Sequence, residues 1–267
     1  MMPFYMSSGP AGEPISRTEA KLHMRVDSTA EDSLTDILIS TARQWCESFL
    51  SRQLVTATWV LTCDSWPWRF VLPRPPLQSV TSITYVDAAG TTQTLTSTLY
   101  DVLTHREPGE VIAGYNDSWP TVRGHTNDVA VTYKAGYSSI FTANATTNVL
   151  TVSGYTPVDA DIVRIWNSGG GLPAGLSAAT DYHVRDAAAQ TCKLAATAGG
   201  DAIDFTTAGT GTHYMGEMPE PIRAAMRLLI GHWYEHREDV ITGTIVTPLA
   251  MSVKALLWPY RLFTEVS

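Results

Sequence analysis

His232 and His236, in the stretch GHWYEHRED, stand four residues apart. On a helix that spacing puts two imidazoles on one face, as zinc sites often require. The zinc-protease pattern needs a glutamate directly after the first histidine, to act as general base. Trp233 holds that place, and His23, His105, His125, His183 and His213 share no ligand spacing. The expectation is a packed helix anchored by Trp233, with His232, Glu235, His236 and Arg237 as its polar rim and no metal.

Other chemistry fares no better. Serine, histidine and aspartate are present, but no G-x-S-x-G elbow exists to raise a nucleophile. GEVIAG lacks the lysine and glycine spacing of a phosphate loop, and NSGGGLPAG is not followed by a helical pattern that could hold an anion. The carboxylate pairs Glu31/Asp32 and Glu238/Asp239 sit at expected helix ends among charged neighbours, which favours capping over acid–base work. Cys46, Cys63 and Cys192 are far apart and form no C-x-x-C, so reduced thiols are expected. No catalytic residue, cofactor or enzymatic activity is expected.

The composition is that of a folded chain: of 267 residues, 44% are hydrophobic and only 16% charged. That low charge leaves surface to small polar residues or hides it in an assembly. The net charge of −8 and pI near 5.3 argue against sequence-specific nucleic-acid binding, which needs a basic footprint. No apolar run approaches the ~18 residues of a membrane span. MMPFYMSSGPAGEP has no basic region and no long apolar core, so residues 1–15 read as a flexible arm rather than a signal peptide.

The elements follow from periodicity. Ser16 with Glu19, and Ser28 with Glu31, form capping boxes that start two helices. The second, over 29–51, places Leu34, Ile37, Leu38, Trp45, Cys46 and Phe49 on one stripe, with Ala42 between. LVTATWVLTCD then alternates with strand period, DAAG marks a hairpin and NDVAVTYKAGY is another strand. Residues 55–137 therefore read as a small antiparallel β-domain. Residues 138–216 are rich in Thr, Ala and Gly with dense turn signals, and read as a second, inserted all-β domain with its ends close together. Helices resume at PEPIRAAMRLLIGHWYEHREDV, break at TGT and end at Pro259. The expected fold is α+β: a helical core from 16–54 and 217–259, the central β-domain, the inserted β-domain and a terminal tail over 260–267.

Trp66, Trp68, Trp119 and Trp258 lie beside prolines in SWPWRF, SWPTV and LLWPYRLF. Such segments pack loops or make rigid contact surfaces. Trp45 and Trp233 are expected to be buried where the first long helix meets the late one. These two, with Trp119 and Trp258, are the candidate packing or subunit-contact anchors.

LPRPPLQSVTSITYVDAAG, NDSWPTVRG, VAVTYKAGY, PEPIRAAMRLLIGHWYEHRE and LLWPYR, taken in order, resemble the head–tail connector (adaptor) proteins of tailed bacteriophages. The opening EAKLHMRVD…SFLSRQLVTATW fits the same family, so the resemblance covers 16–137 and 217–262. It implies a homo-oligomeric ring, usually of twelve copies, in the virion neck. The ring would sit beneath the portal protein, meet the next neck or tail-completion protein and line the DNA exit channel. It would be assembled in the host cytoplasm, away from any membrane. Nothing catalytic is carried over. Twelve copies, each at −8, would let DNA pass without gripping it. The insert departs from the family pattern and looks like a β module of phage structural and tail proteins. The resemblance also assigns Tyr260, Arg261, Leu262 and Phe263 to portal docking, since no later element covers them. The rival expectation is a binding module, in which the inserted β-domain recognises glycan or capsid.

Overall fold

The N-terminal residues, expected as a flexible arm, instead form strand β1 (Phe4–Ser8). It pairs antiparallel with β2 (Ala57–Cys63), Phe4 opposite Leu61, and the Phe4 ring lies 5.6 Å from that of Trp59. The apolar face of β2 offers Phe4 a site worth more than a free chain end, which the glycine and proline that follow obscure. The computed structural model describes residues 2–178, 180–237 and 250–263, and the chain divides into two compact units. The Glu238/Asp239 pair and the TGT break lie outside the described residues. Helices and antiparallel sheets are both substantial, so the fold is mixed α+β.

The first unit comprises Met1–Ala11, Ser51–Tyr137 and Phe263–Ser267. After β2 come β3 (Arg69–Leu72), β4 (Leu77–Val86), β5 (Thr92–Thr94), β6 (Tyr100–Leu103), β7 (Gly109–Ala113) and β8 (Val129–Ala135). One sheet runs β1-β2-β8-β4-β5 and a second β3-β7-β6. The strand alternation read from the sequence is realised in β8, where Val129, Val131, Tyr133 and Ala135 are buried and the residues between them are not. They share a core with Trp59, Leu61, Phe70, Leu72, Ile83 and Val111. The DAAG hairpin closes as expected: Thr91 accepts from the amide of Asp87, and Gly90 takes the left-handed φ of 83° that the turn requires.

The second unit comprises Gly12–Leu50 and Ser138–Leu262. It holds helices α1 (Arg17–Met24), α2 (Asp32–Leu50), α3 (Glu220–Glu235) and α4 (Ala250–Leu257). The same unit contains the strands of the insert: β9 (Ser138–Asn144), β10 (Val149–Val152), β11 (Ile162–Val163), β12 (Ile165–Ser168), β13 (Tyr182–Ala188), β14 (Thr191–Ala195) and β15 (Thr212–Gly216). They form one sheet in the order β11-β13-β14-β10-β9-β15-β12. Ser138 and Gly216 are register partners, so the insert leaves and rejoins the chain at one point. Phe141, Leu150, Val152, Val184, Leu194 and Phe205 fill its core.

Sheet and helices meet along the segment 12–19. Ser16 caps α1 by accepting from the Glu19 amide at 3.1 Å, while its own amide donates to Ser168 Oγ at 2.7 Å. A Cβ on Gly169 would stand 2.1 Å from Ser16 Oγ, so only glycine fits there. Tyr214 donates its hydroxyl to the carbonyl of Glu13 and stacks on Trp166 with centroids 3.8 Å apart. The Arg223 guanidinium lies 4.4 Å over Trp166 on that sheet.

Helix α2 departs from the expected stripe. Its buried face is Thr35, Ile39, Ala42, Arg43, Cys46, Glu47 and Leu50, while Ile37 is 60% exposed and Trp45 half-buried. Arg43 turns inward because it binds Glu13 at 2.7 Å and Glu47 at 2.8 Å, which rotates the helix relative to its apolar residues. The helix also starts at Asp32 rather than 29. Ser28 Oγ accepts from the Ala30 amide, and Glu31 is drawn to Tyr234 of α3 and to Arg237 just beyond it, so the second capping box does not form.

Candidate functional site

In the first unit, two tryptophan–proline segments brace each other. Trp66 Nε1 donates to the Pro120 carbonyl at 2.7 Å, and Trp119 Nε1 donates to the Pro67 carbonyl at 3.1 Å. Their indoles stack with centroids 4.8 Å apart and planes 6° from parallel. Phe70 meets both edge-on. Trp119 is thus a half-buried packing anchor between loops. Two aromatics close in sequence to this pair are exposed, Trp68 beside Trp66 at 82% and Tyr115 before Trp119 at 91%. The Pro-rich context singled out Trp68 with the other tryptophans but could not separate it from the packed pair. Tyr115 carried no signal.

The C-terminal residues are better held than expected. The Leu262 amide donates to the Leu50 carbonyl at the end of α2, at 3.0 Å. The Arg261 guanidinium lies 5.0 Å over Phe49 and 5.7 Å over Trp258. Tyr260, Arg261 and Leu262 are half-buried, so α2 covers part of the segment expected to lie open. Phe263 is 60% and Trp258 53% exposed. Residues 264–267 lie outside the described residues.

Trp45 and Trp233 are half-buried, not buried as expected. Trp45 stacks on Phe49 at 5.4 Å. The α3 interior is instead Ile222, Ala225, Met226, Leu229 and Ile230. The His232 and His236 rings lie 4.6 Å apart, and His236 Nδ1 is 3.1 Å from the His232 carbonyl, to which it donates. Among the described residues no group of three or more His, Cys, Asp or Glu is placed to hold a metal ion. No described helix is long and apolar enough to cross a membrane.

The buried titratable groups are structural in their geometry. Glu19 sits between Ser168, which donates its hydroxyl, Arg223 at 2.9 Å and Arg227 at 2.7 Å. Burial pushes its carboxyl up, but the hydroxyl and the two guanidiniums outweigh that and hold it below the usual range. His213 is buried between the Asn167 amide at 2.8 Å and the Ala208 carbonyl at 3.0 Å. Burial lowers its pKa and keeps the ring neutral. Burial pushes the thiols of Cys46 and Cys192 up to about 12 and that of Cys63 to about 11, which leaves them poor nucleophiles.

No protein-family model matches the chain, and no curated protein sequence does. Solved structures do. One is a chain of the "Neck of empty GTA particle computed with C6 symmetry", 16% identical, covering 100% of this chain and 98% of that one, with a TM-score of 0.58. The two share a fold from end to end. A second, from the "Virion of native gene transfer agent (GTA) particle", is 17% identical with the same coverage and a TM-score of 0.57. The likeness includes the insert, since neither chain leaves a region of that size unmatched.

Proposed function

We propose that this chain is a structural subunit of the neck of a tailed phage or phage-like particle. Twelve copies form a ring beneath the portal, join the head to the tail and line the channel through which DNA leaves. The observation that carries this reading is the whole-length likeness to a chain of a particle neck. The ordered motifs that resemble phage connectors support it independently. So does the surface: the exposed positions of α2 are Ser33, Asp36, Ile37, Thr41, Gln44 and Ser48, of which only Asp36 is charged and that one is paired with Arg17, as suits a helix lying against a neighbouring copy. The net charge of −8 favours a channel that does not grip DNA. The helical segments 16–54 and 217–259 build the wall, and 260–267 dock on the portal through Phe263. The subunit acts by contact, without catalysis or cofactor, and is assembled in the host cytoplasm.

Deleting the gene in the producing strain tests the role. Heads and tails should then accumulate unjoined, and supplying the intact chain should restore joined particles. Joined particles in its absence would exclude it.

A further inference from the structure

Two surfaces of this chain carry complementary chemistry. In the first unit, the 82%-exposed Trp68 directly precedes β3, an edge strand of its sheet. The Arg69 guanidinium lies 5.8 Å from its ring. Arg69 and Val71 are exposed on β3, alternating with buried Phe70 and Leu72. Arg69 and Arg106 share one carboxylate, Glu110, at 3.2 and 2.5 Å. Two half-exposed guanidiniums on one carboxylate leave a positive charge beside an apolar surface. The braced Trp66–Trp119 pair holds this loop before any partner arrives, which lowers the entropic cost of binding.

In the second unit, residues 158–162 form a turn that enters β11, again an edge strand. Val158 is 58% and Ile162 64% exposed. Between them stand Asp159 and Asp161. Asp159 accepts from the Ala187 amide at 2.9 Å and Asp161 from the Tyr155 hydroxyl at 2.8 Å. Neither meets a cation among the described residues. The turn is fixed by Asp161 N–H to Val158 O at 3.2 Å and Ala160 N–H to Val184 O at 2.9 Å. Ala160 is held at φ 73°, a left-handed conformation that costs an L-residue free energy. A rigid acidic turn that displays two aliphatic side chains is an unfavourable thing to leave in water.

We infer that the Trp68–Arg69–Arg106 patch of one copy receives the 158–162 turn of a second copy. The indole covers Val158 and Ile162, and the guanidiniums face Asp159 and Asp161. A Trp and Arg centre flanked by opposite charge is the usual make-up of an interface hot spot. The two patches differ, so the contact is head-to-tail and repeats from copy to copy, as a ring requires. This rests on the ring reading above and assigns its subunit contact.

The test uses the full chain in sedimentation velocity, with circular dichroism to confirm folding. Wild type should self-associate at or below about 1 mM, the weak limit of specific contacts. Arg69→Glu and Asp159→Arg should each weaken association about tenfold or more, because like charges then meet. An equimolar mixture of the two variants should assemble again, since the intact patch of one meets the intact turn of the other and their two charge-reversed faces attract each other as well. The double variant should assemble again. Wild type that stays monomeric at that concentration overturns the contact, as does a mixture that stays monomeric or a double variant that is not rescued. If wild type forms rings that both single variants also form, the contact is wrong and the ring reading stands.

Discussion

Ser168 on β12 donates its hydroxyl to the carboxylate of Glu19 on α1, across 149 residues of sequence. The same carboxylate binds Arg223 and Arg227 of α3. One side chain thus ties the inserted sheet to two helices. Its own side chain is only 15% exposed, so losing its charge leaves Arg223 and Arg227 with the single carboxylate of Glu220 between them in a poorly solvated place. Glu19→Gln should cost about 3 kcal/mol of stability, read as a lower urea midpoint with an unchanged slope. Unchanged stability would mean that the sheet is held by apolar packing alone.

Removal of 137–216, with Gly136 joined to Glu217 by a short Gly-Ser linker, is the stronger form of that test. The ends are placed for it, since Ser138 pairs with Gly216. The interior is not: Ser16, Glu19 and Arg223 would lose Ser168 and Trp166. The shortened protein should lose helical circular dichroism at 25 °C. A stable helical product would make the insert an independent module.

Ser16 as the cap of α1 was legible because a capping box is local, and the Ser16 side chain does accept from the Glu19 amide. The fate of the Glu19 side chain was not legible, because its partners lie 149 and more residues away. The same applies to α2. An apolar stripe through Ile37 and Trp45 is the natural reading until Glu13, 30 residues upstream, draws Arg43 inward. Strands such as β8 were plain, since alternation needs no distant knowledge. β1 was missed because its partner β2 begins more than forty residues on. Of the contact surface, the tryptophan–proline segments stood out, but which indole packs and which is displayed depends on Pro67 and Pro120 meeting the opposite loop.

Stability should fall at both ends of the pH scale, for separate reasons. Glu19 is held below its ordinary value of 4.5 when folded, so its contribution is present above 4.5 and is lost as pH falls through the lower folded value. Glu19→Gln should flatten the acid limb of a melting-temperature profile. The thiols are raised by burial from 9.0 to about 12 for Cys46 and Cys192 and to about 11 for Cys63. Their contribution is present below 9 and lost as pH rises towards the folded values. A thiol reagent at pH 8 should label the unfolded chain fully and the native chain slowly. Rapid native labelling would contradict the burial.

The Trp66–Trp119 brace predicts a contrast. Trp66→Ala and Trp119→Ala should each cost about 2 kcal/mol, through a lost ring pair and an orphaned carbonyl partner. Trp68→Ala should change stability by about 0.5 kcal/mol or less, since its side chain is largely in water. Equal losses at Trp66 and Trp68 would refute the division into brace and display.

The terminal segment separates attachment from folding. Phe263→Ala should leave the melting temperature unchanged, because that ring is 60% exposed, and should abolish binding to purified portal. Arg261→Ala should cost about 1 kcal/mol through its contacts with Phe49 and Trp258. Normal portal binding by the Phe263 variant would remove the tail from the docking surface.

The central claim, a ring subunit of a particle neck, is tested most directly by a cryo-electron microscopy map of that neck, calculated without imposed symmetry. The account predicts this fold in twelve copies around the axis below the portal, with Trp68 of each copy against Val158 and Ile162 of the next. A map with the chain in a single copy, or nowhere in the neck, would contradict it.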